Sequence, residues 1–198
     1  MIVWWLLGVV MVVVGGWGVL SSHRMLHPVP RPLPEPQAQV SSQSVALRGR
    51  DGQPFDVWLL DHPQPRGAII ACHGYRATHR QLWDIAAGLS QRSYALLLFD
   101  LRGHGTRPGP CTFGPRDLED LGVILTWLHQ HPRLGGLPLG LFGMSLGGAV
   151  ACQTAARHPQ ISAIAIDSTY ARLFPILARA ITREYGLPRV PWAWVTWA

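Results

Sequence analysis

No lysine occurs anywhere in the 198 residues; the 17 residues counted as Lys or Arg are all arginine. That absence removes whole classes of chemistry. A phosphate-binding P-loop needs its lysine, a pyridoxal enzyme needs a lysine Schiff base, and a Ser-Lys hydrolase needs a lysine base. Charge of either sign is scarce at 14% of residues, and 11 acidic residues leave a net charge of +6. The arginines are scattered singly instead of forming a stripe, which argues against a nucleic-acid face. Cysteine is equally sparse: Cys72, Cys111 and Cys152 have neither metal-ligand spacing nor a paired framework, and they read as small buried hydrophobes. His129 and His131 form a close pair before Pro132 with no third ligand nearby, so they read as cations at a helix end, not as a metal site. No metal and no cofactor are expected.

What is abundant is apolar residues, 48% of the chain, enough for one domain with a buried core. Part of that content is at the front. Ile2 to Leu20 carries no charge, and as a helix it is about 28 Å long, close to the hydrocarbon thickness of a bilayer. Trp4, Trp5 and Trp17 lie near its ends, where indoles favour the interface. It reads as a retained single-pass anchor, with a cleaved signal peptide as the alternative; no basic residue precedes it, as a signal peptide would require. Arg24 and Arg31 follow, which favours a cytoplasmic catalytic domain. Pro28 to Pro36 alternates proline with other residues and predicts a polyproline II spacer. The expected organisation is an anchor over residues 1–21, a Pro-rich linker over 22–43 and a catalytic domain over 44–198.

Within that domain, residues 44–60 read as two strands around the turn Gly49-Arg50-Asp51-Gly52. Three short apolar runs follow, each too short for a helix and each ending in glycine or polar punctuation. Gly67 to Cys72 ends in His73-Gly74-Tyr75; Ala95 to Phe99 ends in Asp100-Leu101-Arg102-Gly103-His104-Gly105; Leu139 to Phe142 runs into Gly143-Met144-Ser145-Leu146-Gly147. The last is a Gly-x-Ser-x-Gly turn, in which glycines flank a serine pushed out of a sharp strand-to-helix bend. A helix N-cap serine in a glycine-rich loop is the bland reading of such a motif standing alone.

The three segments, in this order, resemble the α/β-hydrolase superfamily, and specifically membrane-anchored serine hydrolases of the Bem46 and dipeptidyl-peptidase-like branch. The resemblance covers residues 44–170. It implies a mostly parallel sheet flanked by helices, with Ser145 as nucleophile. It also implies that the Tyr75 and Leu146 backbone amides form the oxyanion hole, and that the turn from Asp100 to Gly105 braces the loop beside it. His73 and His104 belong to turn motifs and read as structural. Asp167, after the strand expected over 161–166, is the candidate triad acid.

Helices are expected between the strands. One starts at Thr78 with Gln81 at capping-box spacing and Leu82, Ile85 and Leu89 facing inward. Another starts at Pro115, with Asp117, Glu119 and Asp120 complementing its dipole and Leu118, Leu121, Leu125 and Leu128 as its buried stripe; a third follows Ser145, and an amphipathic stretch covers 173–185. No histidine follows His158. The triad order Ser, acid, His therefore has no base here, and the chain reads as a C-terminally incomplete hydrolase with little activity of its own. Its expected substrate is a small or lipid-like ester or amide. A serine peptidase of the same fold and a degenerate membrane-tethered binding module are the alternatives.

Overall fold

A computed structural model describes residues 1–34, 36–38 and 40–185. The tryptophan-containing stretch after Tyr185 lies outside the described residues. Six strands form one sheet. Strand β1 (Gln43–Arg48) and strand β2 (Pro54–Leu60) make an antiparallel hairpin, closed by a turn in which Gly52 adopts φ +77°. β2 also pairs antiparallel with β4 (Tyr94–Phe99). From there the sheet is parallel: β4 beside β3 (Gly67–Cys72), then β5 (Leu139–Met144), then β6 (Ile161–Asp167), giving the order β1-β2-β4-β3-β5-β6. The apolar runs of β3 and β4 lie between helices on both faces, so they read as continuous hydrophobic stretches instead of alternating ones.

Alternate side chains point to opposite faces and build two cores. On one face Val57, Ile70, Leu97, Phe99 and Leu141 pack against α3 (Pro115–Gln130) and α4 (Leu146–Ala155) through Leu121, Ile124, Leu128 and Val150. On the other, Leu60, Ala71, Leu96 and Leu98 meet Leu82 of a short 3₁₀ turn (His79–Leu82) and Ala86 of α2 (Trp83–Ser90). The end of the sheet at β6 is barely covered: Ile164 and Ile166 are 43% and 49% exposed, and among the described residues no strand pairs with the outer edge of β6. Helix α5 (Leu173–Tyr185) follows, as the amphipathic pattern predicts.

The N-terminal helix α1 (Ile2–Leu26) has 25 residues, a length of about 37 Å at 1.5 Å per residue, and a mean hydropathy of 2.2 over its most apolar stretch, none of which is buried. It is long and apolar enough to cross a membrane.

Several local expectations need correction. Thr78 does cap the 3₁₀ turn through the Arg80 amide (3.3 Å), but Gln81 does not complete a capping box; its Oε1 accepts the Gly74 amide instead (2.8 Å). Ile85 is 42% exposed, and Ala86 and Ala87 take the inward positions. Glu119 is exposed, whereas Asp117 and Asp120 are buried and hydrogen-bonded to arginine groups. Cys152 is only half-buried. The Pro-rich segment is not a free spacer. It is strapped to the domain: Arg31 donates its amide to the Arg76 carbonyl (2.8 Å), the Gln37 and Ala38 amides both donate to Asp84 Oδ1 (3.0 Å each), and Trp83 Nε1 donates to the Ala38 carbonyl (3.2 Å). Proline fixes the shape of this strap without using up its carbonyls, which remain available as acceptors.

Candidate active site

Ser145 lies between the end of β5 and the start of α4, half-buried, with φ +50° and ψ −111°. A non-glycine residue pays for such a backbone with strain of about 1–3 kcal/mol, and it persists only where the surroundings leave no alternative. Those surroundings are visible. A Cβ on Gly143 would collide with the Gly147 carbonyl, one on Gly147 with the Cys72 and His73 carbonyls, and one on Gly148 would come within 2.8 Å of Thr169. The elbow is therefore pressed against the end of β3 and the loop after β6. Two hydrogen bonds fix it there: the Ser145 amide donates to the Asp167 carbonyl (2.8 Å), and Thr169 Oγ1 donates to the Ser145 carbonyl (2.8 Å).

The loop His73-Gly74-Tyr75 lies directly beside this serine; a Cβ on Gly74 would sit 3.6 Å from the Ser145 Cβ. His73 holds the loop. Its Nε2 accepts the Leu101 amide (3.0 Å), so the proton resides on Nδ1, which donates to the Gly74 carbonyl (2.8 Å). Burial pushes the His73 pKa down to about 4, and the ring is neutral at physiological pH. His104 is also buried, its Nδ1 donates to the Arg102 carbonyl (2.9 Å), and burial lowers its pKa too. His73 thus staples two loops, whereas His104 bonds within its own turn and sets its ring edge-on against His73 and Tyr75. Tyr75 packs its ring against the core beside Phe113, on which it stacks, and donates its hydroxyl to the Met25 carbonyl (2.9 Å). Leu146 buries its side chain in the core as the first residue of α4.

The turn after β4 is braced by buried charge. Arg102 makes a two-pronged contact with Asp120 of α3 (Nε to Oδ2 and Nη2 to Oδ1, both 2.7 Å) and pairs with Asp51 in the β1–β2 turn. Arg107 adds a bond to Asp120 (2.8 Å) and another to the Pro54 carbonyl (2.8 Å). Asp100 accepts from the amide and Nδ1 of His79 (2.7 and 3.0 Å) and from the Thr106 amide (3.1 Å). Burial would raise its pKa, but the His79 contacts outweigh this and the carboxylate lies below its usual value. Asp117 receives the Arg102 and Gly114 amides (2.8 and 3.1 Å), yet burial, reinforced by the neighbouring Asp120 charge, raises its pKa to about 6.

The buried roles of Asp117 and Asp120 were hidden behind their helix-start position. The signal was present: they lie three residues apart and in register with Leu121, Ile124 and Leu128, so the buried stripe itself contains two acids that demand partners. His79 stacks on Trp58 at 3.5 Å between ring centres, and no local sequence signature marks it. Asp167 is exposed, and its carboxylate accepts the Ser168 hydroxyl (2.7 Å). Among the described residues no histidine or carboxylate hydrogen-bonds the Ser145 hydroxyl, and no group of three or more His, Cys, Asp or Glu side chains is placed to hold a metal.

Sheet order, strand-to-helix elbow and flanking helices define the α/β-hydrolase fold. The chain belongs to the family described as serine aminopeptidase, S33, whose pattern matches residues 63–190. It is similar to the Magnesium-chelatase 30 kDa subunit of Rhodobacter capsulatus, 32% identical over 162 residues, covering 77% of this chain and 54% of that protein. It is also similar to an uncharacterized protein of Mycobacterium tuberculosis (strain H37Rv), 27% identical over 180 residues, covering 88% and 60% respectively. The chain thus spans 54–60% of the length of these curated relatives. Among solved structures, the esterase Pf2001 of Pyrococcus furiosus superposes with a TM-score of 0.68 at 22% identity, covering 85% of this chain and 67% of the esterase. That likeness carries the fold.

Proposed function

We propose that this chain carries the nucleophile and oxyanion loop of a membrane-attached serine hydrolase that transfers acyl groups to water. The observation that carries the reading is the backbone of Ser145, held at positive φ at the strand-to-helix turn by glycines that admit no Cβ. In this reading the Ser145 hydroxyl attacks an ester carbonyl, and the amides of Tyr75 and Leu146 receive the developing oxyanion, Leu146 doing so from the positive end of α4. Among the described residues no base hydrogen-bonds the Ser145 hydroxyl; Asp167 joins the site through its carbonyl, and its carboxylate, bonded to Ser168, is the candidate acid. The 198 residues alone are therefore expected to turn over substrate slowly. Helix α1 would act as the anchor, with Arg24 and Arg31 favouring a cytoplasmic domain. Lipid-like esters suit a site tethered to a bilayer.

A peptidase is the second reading, favoured by the description of the matching family. Competition between two covalent probes separates them. An alkyl fluorophosphonate should modify Ser145 faster than an aminoacyl diphenyl phosphonate. The reverse order would transfer the assignment to peptide substrates, and modification by neither in a folded chain supplied with an exogenous base would overturn both.

A further inference from the structure

The last turn of an α-helix leaves its carbonyls without partners inside the helix. In α1 two of these are satisfied by the loops around the candidate active site. Tyr75, the residue after Gly74 in the oxyanion loop, donates its hydroxyl to the Met25 carbonyl (2.9 Å), and the Cys111 amide, in the loop that follows β4, donates to the Leu26 carbonyl (2.6 Å). The chain then stays on the same loop: Arg76 Nε donates to the Val29 carbonyl (3.1 Å) and accepts the Arg31 amide on its own carbonyl (2.8 Å), while Pro28 is buried. The apolar helix is thus docked onto the end of the sheet at which β3, β4 and β5 deliver their loops.

The segments around the docked turn carry arginine and no acid. Residues 1–34, 73–83 and 101–116 contain no Asp or Glu, yet they carry Arg24, Arg31, Arg76, Arg80, Arg102, Arg107 and Arg116. Arg102 and Arg107 turn inward to Asp120, and the segment between them and Cys111 exposes Gly105, Thr106, Pro108, Gly109 and Pro110, which are uncharged. The exposed carboxylates at this edge are Asp51 in the β1–β2 turn, faced by Arg102 and Arg116, Asp84 in the first turn of α2, which accepts the strap amides, and Asp167 at the end of β6. The exposed residues of the 105–110 segment are uncharged, the adjoining chain carries Arg24 and Arg31, and both are continuous with a bilayer-length helix, a combination that suits an anionic headgroup layer.

We infer that the carboxyl-terminal edge of the sheet, carrying Ser145, is held face-on to an anionic bilayer surface by the docking of the last turn of α1 on Tyr75 and Cys111. The inference rests on reading α1 as a membrane anchor and goes beyond it, because a tether alone would leave the domain free to turn. With this orientation Ser145 opens toward the headgroup layer, where the ester bonds of lipids lie.

Site-directed spin labelling of the 198-residue chain in mixed phosphatidylcholine–phosphatidylglycerol vesicles tests it. In a Cys152→Ser background, nitroxides are attached at Val10→Cys in α1, Pro108→Cys at the carboxyl edge and Gln91→Cys at the opposite edge, about 20 Å away along six-residue strands. The expected result is a Val10 label that collides with oxygen in the hydrocarbon, a Pro108 label at headgroup depth and a Gln91 label in bulk water. Pro108 and Gln91 labels equally accessible to a water-soluble nickel chelate, with Val10 in the hydrocarbon, would overturn the orientation while leaving the anchor intact. A Val10 label in water would overturn the anchor and the orientation together.

Discussion

At the scale of single residues, the strained serine and its glycine clamps make opposite demands on the backbone. Ser145 occupies φ +50° and ψ −111° whatever its side chain, so replacing it with glycine should release strain that alanine retains. We expect Ser145→Gly to be more stable than Ser145→Ala by about 1 kcal/mol, after subtracting the greater unfolded-state freedom of glycine; urea unfolding of the two variants in detergent measures this, and equal midpoints would show that the elbow is relaxed. Gly147→Ala should do the opposite, because its new Cβ meets the Cys72 and His73 backbone carbonyls, which cannot swing aside as a side-chain tip could. A loss of at least about 2 kcal/mol is expected. Asp120→Asn removes the charge that two buried guanidiniums share, and should destabilise the domain by about 3 kcal/mol, leaving Arg102 with only the peripheral Asp51. A loss under 1 kcal/mol would mean that water already screens the pair.

Among elements, the braces on the loops after β3 and β4 set the response to pH. His73 and His104 are buried and lowered, His73 from 6.5 to about 4, so between those values the unfolded chain binds more protons than the native one and stability falls as pH drops. Asp117 at the start of α3 works the other way. Its pKa is raised from 3.8 to about 6, the native state binds more protons in that window, and stability rises as pH drops. Asp117 offsets part of the histidine effect in the natural chain. Asp117→Asn removes the compensation, so its urea midpoint should fall more steeply between pH 6.5 and 4.5 than that of the natural chain. An unchanged slope would show that Asp117 is ionised throughout.

The same elements show which parts of the structure could be read in advance. The runs Gly67–Cys72 and Ala95–Phe99, the hairpin around Gly52 and the elbow at Ser145 were legible because each rests on local rules: short apolar length, turn glycine, steric exclusion of Cβ. The strap was not, because its partners Tyr75, Arg76, Trp83 and Asp84 lie some 45–50 residues further along, and nothing in a proline repeat states where its carbonyls will find donors. Ile85 fails for a related reason: helical spacing assigns it to the inner face of a helix beginning at Thr78, but the first turn is 3₁₀ and the phase shifts before α2 starts. Tertiary pairing decided these cases, and no window of sequence contains it.

For the whole molecule, the sheet is well packed at β2, β4 and β3 and poorly covered at β6, and the chain spans 54–60% of the length of these curated relatives. The proposed function rests on a hydroxyl displayed beside the loop His73-Gly74-Tyr75, with no base hydrogen-bonded to it among the described residues. Imidazole can stand in for that base. The direct test treats the folded 198-residue chain with an alkyl fluorophosphonate, with and without added imidazole, and maps the adduct by peptide mass spectrometry, with Ser145→Ala and the denatured chain as controls. The account predicts slow modification without imidazole, several-fold faster modification with it, and an adduct confined to Ser145 of the folded chain. An adduct spread over other serines and tyrosines, or equal yields in the folded and denatured chain, would contradict it.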